Sequence, residues 1–352
     1  MTQDKKPMPI GIRLLLVFSG LFVLALLIGT VAMIGAAAWA ILPGPQIDTR
    51  HAIGEDSLAV FHVHDPGHDP HLRALGTTVF RDALEAGQKK NPNQAPLSDW
   101  QIEQLTKPME LVTWIAIPRQ LTLVVDSPPE ADDHTWTLLV NPTAGVRWME
   151  LMMSRDAARN DRLVHADGRD FIRSKDQIYS FDGGTVIWSN TLPQSKAIHQ
   201  RVDARTQSPM AQQVTELSKD WSLAAIIKDT GLLMRFAGIR DAPKEMEEAI
   251  SEELTEARAG IRMSDADTAE VQLHIEKASR ESAELLAASA DDLCESLGAK
   301  VAQTRIRFSC THQLAGDTLE LNIRYQNLQA FIAARMDPSR RDTAQPDAAP
   351  TP

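Results

Sequence analysis

Thr268-Ala269-Glu270-Val271-Gln272-Leu273-His274-Ile275-Glu276 alternates without a break, with Val271, Leu273 and Ile275 set against Glu270, Gln272, His274 and Glu276. Successive side chains of a strand point to opposite faces, so this stretch is a strand with one dry and one wet side. Two downstream stretches repeat the pattern. In Arg305–Thr311, Ile306, Phe308 and Cys310 alternate with Arg305, Arg307 and Ser309; in Leu319–Tyr325, Leu319, Leu321, Ile323 and Tyr325 alternate with Glu320, Asn322 and Arg324. Ala315-Gly316 supplies the turn of the last hairpin. Between the first and second strands, Ser279–Leu297 has helical spacing and presents Leu286, Ala290, Leu293, Cys294 and Leu297 to the apolar side. The predicted class is α+β, with helices packed on antiparallel sheet.

Moving upstream, Trp221–Lys228 reads as a strand, followed by helices at Thr230–Gly238 and Pro243–Arg258. The second helix is rich in acid (Glu245, Glu247, Glu248, Glu252, Glu253, Glu256) and keeps Met246, Ile250 and Leu254 on a stripe, which reads as a solvated outer face. The first half opens with a strand at Asp56–His64. Asp69-Pro70 then starts a helix, Asp as N-cap and Pro at the first helical position. Further expectations are a short helix capped by Ser98, strands at Leu111–Ile117, Leu121–Val125 and Thr135–Val140, and a helix near Val146–Met153. Four brief strands follow between Arg162 and Trp188, parted by turn residues, and a helix at Pro193–Arg205. Two lobes result, 56–205 and 206–336, with a disordered Pro- and Ala-rich tail at 337–352. Ser57-Leu58-Ala59-Val60-Phe61 and Ser222-Leu223-Ala224-Ala225-Ile226 open the lobes alike, as a duplicated unit would.

The N-terminus differs in kind. Residues 14–42 hold no charge and consist mainly of Leu, Val, Ile, Ala and Phe, enough for a helix to cross a bilayer. Lys5, Lys6 and Arg13 precede the run against a lone Asp4, which places residues 1–13 in the cytoplasm and the chain from the 43–55 linker onward outside. Ala38-Trp39-Ala40 has the form of a cleavage site, but the apolar run is nearly twice the length of a signal peptide's. The expectation is an uncleaved signal-anchor in a bacterial inner membrane with a periplasmic domain.

The formal charge is −11, and residues 1–13, with three bases and one acid, leave −13 for the rest. So acidic a surface repels phosphate, which argues against nucleic acid and against a broad anionic lipid face as partners. Two cysteines exclude a disulfide-built scaffold. Cys294 on the helical stripe and Cys310 on the apolar side of its strand point into one interface, where an oxidising compartment would let them bridge.

Chemistry is concentrated in one place, His62-Val63-His64-Asp65-Pro66-Gly67-His68-Asp69-Pro70-His71. His62 and His64 share a strand face, the geometry by which two imidazoles bind one metal, with His68 as a third donor. The run superficially resembles the metallo-β-lactamase signature but departs from it: Asp65 comes at once and His68 late. Turn, cap and first-turn roles also account for Asp65, Asp69 and His71. Motifs for serine, zinc-protease and nucleotide chemistry are absent. Trp100, Trp114, Trp136, Trp148, Trp188 and Trp221 are expected in the core. The functional expectation is a non-enzymatic envelope protein that binds or scaffolds other envelope components. The alternative is a His-rich protein holding a divalent metal, catalytic or not.

Overall fold

The structure is a computed structural model that describes residues 42, 44–67, 69–78, 81, 118–127, 134–236, 250, 253–302 and 304–336. The predicted anchor at 14–42 falls outside these residues except for Leu42, as do the Ser98 helix, the Leu111–Ile117 strand and the 337–352 tail. No helix among the described residues is long and apolar enough to cross a membrane.

The fold is α+β, one large antiparallel sheet with helices on both faces. Its strands are β1 (Ser57–His64), β2 (Gln120–Asp126), β3 (Thr135–Asn141), β4 (Leu163–Ala166), β5 (Arg169–Ser174), β6 (Gln177–Asp182), β7 (Thr185–Ser189), β8 (Leu223–Ile227), β9 (Leu254–Asp265), β10 (Thr268–Lys277), β11 (Arg307–Ala315) and β12 (Thr318–Gln326). They lie in the order β11-β12-β10-β9-β8-β1-β2-β3-β7-β6-β5-β4. The helices are α1 (Val146–Arg159), α2 (Leu192–Ala204), α3 (Pro209–Leu217), α4 (Thr230–Phe236), α5 (Arg280–Ala288), α6 (Ala290–Val301) and α7 (Leu328–Met336).

The two similar openings, β1 and β8, are antiparallel neighbours at the centre of the sheet, with Phe61 opposite Ala225. From them the same path is traced twice. The order β1-β2-β3-β7-β6 on one side is matched by β8-β9-β10-β12-β11 on the other. A helix follows the first strand in each case (70–78 and α4), and another follows the third (α1 and α5–α6). The chain thus repeats its topology about the β1–β8 pair.

The central strands are apolar on both sides because both are covered. Ala59, Val125, Ala225 and Ile227 join one core with Leu233, Leu286, Leu293 and Leu297 from α4, α5 and α6. Val60, Val124 and Ile226 join a second, on the opposite face, with Ile198 and Val202 of α2 and Met210 and Val214 of α3. Strands buried on both faces lose alternation and read as continuous apolar runs, as these do.

Several expectations need correction. The helix predicted through Arg258 gives way to β9 at Leu254. Ala257 and Ala259 face the core while Glu256, Arg258 and Arg262 take the other side. Ala, Glu and Arg favour helices, and here pairing with β8 and β10 overrides that preference. Glu256 is consequently buried, where a solvated helix face was expected. The single helix over Ser279–Leu297 is two, broken at Ser289 (φ −95°, ψ 4°). The break keeps Leu286, Ala290 and Leu293 on one core. The last hairpin turns at Gly316-Asp317, with Gly316 at φ +68°, one residue later than expected. Helices α3 and α7 were not foreseen, although Ser208-Pro209 opens α3 as Asp69-Pro70 opens the 70–78 helix. Trp148 is 54% exposed, against the expectation of a core role.

Candidate functional site

Beginning with the histidine run, β1 places His62 and His64 on one face, their rings stacked with centroids 6.1 Å apart. Their surroundings differ. His64 is exposed, whereas His62 is 1% exposed and its Nδ1 lies 2.7 Å from the Thr122 hydroxyl. The Thr122 hydroxyl in turn meets that of Thr49 at 2.6 Å. Nε2 of His62 has no hydrogen-bond partner among the described residues. Burial, then His64 and Arg50, push its pKa down to about 4. His68 lies outside the described residues, and among those described no three His, Cys, Asp or Glu converge on a metal position. The other members of the run have structural roles. Asp65 turns the chain at φ +46°, and Asp69 caps the following helix, accepting from the amides of His71 (2.8 Å) and Leu72 (3.1 Å). Zinc titration of the purified protein is expected to show no stoichiometric ion. One ion per chain, lost in His64→Ala, would establish a site instead.

A second polar cluster ties α2 to the sheet. Thr191 caps α2, Pro193 sits in its first turn, and the face it buries carries Gln194, Ser195, Ile198, His199 and Val202. Buried polar groups need partners, and the sheet supplies them. Asp126 accepts from Ser57 (2.7 Å), Gln194 Nε2 (2.6 Å) and Arg201 Nη1 (2.8 Å). Ser180 Oγ meets His199 Nε2 at 2.9 Å and Ser195 Oγ at 3.3 Å, and His199 Nδ1 stands 3.7 Å from Asp182. Ser180, His199 and Asp182 follow the order of a nucleophile, base and orienting acid. The geometry is closed, however. Ser180 is fully buried in β6 and His199 is 3% exposed, with Phe171 edge-on to the imidazole at 5.7 Å. As it stands the cluster pins α2 to β6 and admits no substrate. Burial, then Arg169, push the His199 pKa down to about 4. None of this was legible from spacing, since Ser180 and His199 carry no motif.

The open site is on the wet side of β9, β10, β12 and β11, the side opposite α5 and α6. Register arranges its residues in rows across the strands. Arg262, Glu270, Arg324 and Ser309 form one row; Gly260, Gln272, Asn322 and Thr311 the next; Arg258, His274, Glu320 and Gln313 a third. Charged rows flank a neutral one. Gly260 is required there, since a Cβ would come within 2.3 Å of the Trp221 ring, which lies against the sheet at that point. Arg262 stands over Trp221, 4.8 Å from the ring centroid, and donates to Glu270 at 2.9 and 3.0 Å. A cleft of about 390 Å³ runs from Trp221 along Gln272, Asn322 and Thr311. Beyond Trp221 a second, of about 620 Å³, lies between α3 and Arg258. Amide, hydroxyl and guanidinium groups beside an aromatic ring suit an extended polar ligand that can also stack. The sequence showed this wet face from its alternation, but not the clefts.

Cys294 on α6 and Cys310 on β11 are joined, with Cα atoms 5.7 Å apart. The bond fastens α6 to the edge strand pair of that half.

No protein family matches the chain, and no curated protein matches its sequence. A solved structure titled "Structure of crystal form I of TP0453" overlies it with a TM-score of 0.43 at 10% identity, covering 83% of this chain and 98% of that one.

Proposed function

We propose that this is a membrane-anchored bacterial envelope protein, held by residues 14–42, whose two-lobed outer part binds an extended polar envelope component without transforming it. The observation that carries the reading is the open sheet face, with its neutral row of Gln272, Asn322 and Thr311 between charged rows and Trp221 at one end. The uncharged run and the Lys5, Lys6 and Arg13 bias support the anchor and its orientation. A bridge between Cys294 and Cys310 suits an oxidising compartment.

Two measurements test the placement together. A reporter active only outside the cytoplasm, fused after Pro338, is expected to be active. Thiols alkylated in intact cells and counted after unfolding are expected to number zero. A silent reporter with both thiols free would overturn the placement and the bridge alike. The binding role is tested by co-purification from native membranes with Trp221→Ala and Gln272→Ala. Partners unchanged by both substitutions would overturn the assignment of this face.

A further inference from the structure

Helix α1 exposes two large apolar side chains, where its counterpart in the other half, α5 and α6, exposes Leu285 alone among the described residues. In the repeated topology α1 stands in the place of α5 and α6, which bury Leu286, Leu293 and Leu297 in the core. Helix α1 buries only Val146 and Ala157. Trp148 and Met152, 54% and 48% exposed, lie one helical turn apart, and the exposed Arg155 and Arg159 continue the same stripe. A single exposed apolar side chain is ordinary, but two on one stripe form a contiguous patch, the feature that marks an interaction surface.

The position of the helix says what that partner is. The N-terminal segment joins the domain beside it. Gly184 donates to the Pro45 carbonyl at 2.6 Å, and Ile47 donates to Thr185 Oγ1 at 3.2 Å, which fixes the segment on the β6–β7 turn. On its other side Gln46 Nε2 donates to the Pro142 carbonyl at 2.6 Å, and Asn141 Nδ2 to the Ile47 carbonyl at 2.9 Å. Helix α1 begins only four residues after Pro142. The uncharged run ends at Leu42, itself 59% exposed, two residues before Gly44. At roughly 3.5 Å per residue, so short a connection leaves the domain no freedom to stand away from the bilayer at this corner.

From this corner, and resting on the anchor reading above, we infer that α1 is a second membrane contact: Trp148 and Met152 enter the headgroup–acyl boundary, and Arg155 and Arg159 meet lipid phosphates. Trp belongs at that depth, with its ring in the apolar boundary and its N–H in the wet layer. Arginines one and two turns further on reach phosphate while their stems cover apolar surface. The acidity of the chain as a whole opposes adhesion of a broad face to anionic lipid. This contact is local: its four-residue stripe carries no acid, and the neighbouring exposed Asp156 is paired with Arg162. It orients the outer part, fixing which end of the sheet faces the membrane.

The full chain, reconstituted in phosphatidylcholine–phosphatidylglycerol vesicles, tests it. An environment-sensitive dye is placed at Met152→Cys or, as control, at the exposed Glu284→Cys of α5. Quenching by doxyl-labelled lipid is expected to be several-fold stronger at position 152, and to fall to the control level when Trp148→Asp is added. Protein retained by the vesicles through carbonate washing but quenched equally at both positions would overturn the contact and leave the anchor intact. Protein released by carbonate would overturn the anchor and the contact with it. Shielding of position 152 in native membranes but not in vesicles would assign the stripe to a protein partner and overturn the lipid assignment.

Discussion

Acidification from neutral pH to about 4 is expected to destabilise the folded protein by about 3 kcal/mol for each of two buried histidines, His62 and His199. Both are held at about 4 in the folded state, against 6.5 for an unperturbed imidazole. Below 6.5 the unfolded chain takes up protons that the folded chain refuses. Stability therefore falls as pH drops through the window from 6.5 to about 4, and these groups add no further loss below it. The cause is mainly desolvation: His62 is buried against Thr122, and His199 lies between Phe171 and Ser180. Urea unfolding across this range, for the wild type and for His62→Gln and His199→Gln, measures it. Carboxylates also titrate near the lower end, so the difference between wild type and variant is the decisive quantity. A parallel pH dependence in all three proteins would show that neither imidazole is kept neutral by the fold.

Asp126→Ala is expected to destabilise by about 3 kcal/mol, the low end of the range for breaking a buried charged pair, because Asp126 is buried while Arg201 is partly exposed. Three donors converge on this carboxylate, and the substitution would leave Ser57, Gln194 and Arg201 short of their acceptor at once. Arg201 also donates to the Ala52 carbonyl and pairs with Asp56, so the loss spreads to the segment leading into β1. Gly54 packs under the same guanidinium, where a Cβ would lie 2.6 Å from its central carbon. In a domain of this size such a loss lowers the Tm by roughly 10 °C. Asp126→Asn keeps the shape and loses the charge, and its effect should be smaller. A double-mutant cycle with Arg201→Ala isolates the pair. Additive effects of the two substitutions would show that Arg201 and Asp126 are not coupled.

The sequence by itself determined the α+β class, through alternation in the outer strands. Glu270, Gln272, His274 and Glu276 must share a wet face because strand geometry has a period of two. It also determined the cap at Asp69, where a local hydrogen bond and the following Pro70 suffice. Tertiary structure alone decided what depends on partners distant in the chain. Pairing with β8 and β10 made β9 a strand, although its Ala, Glu and Arg content favours helix. Contact with Thr122, sixty residues away, holds His62 in a buried position, while His64 on the same strand face stays exposed. Trp221 lies flat only because Gly260 arrives beneath it from another strand. In each case the residue's local preference is worth about 1 kcal/mol or less, and burial or pairing with a remote element is worth more, so the remote partner prevails.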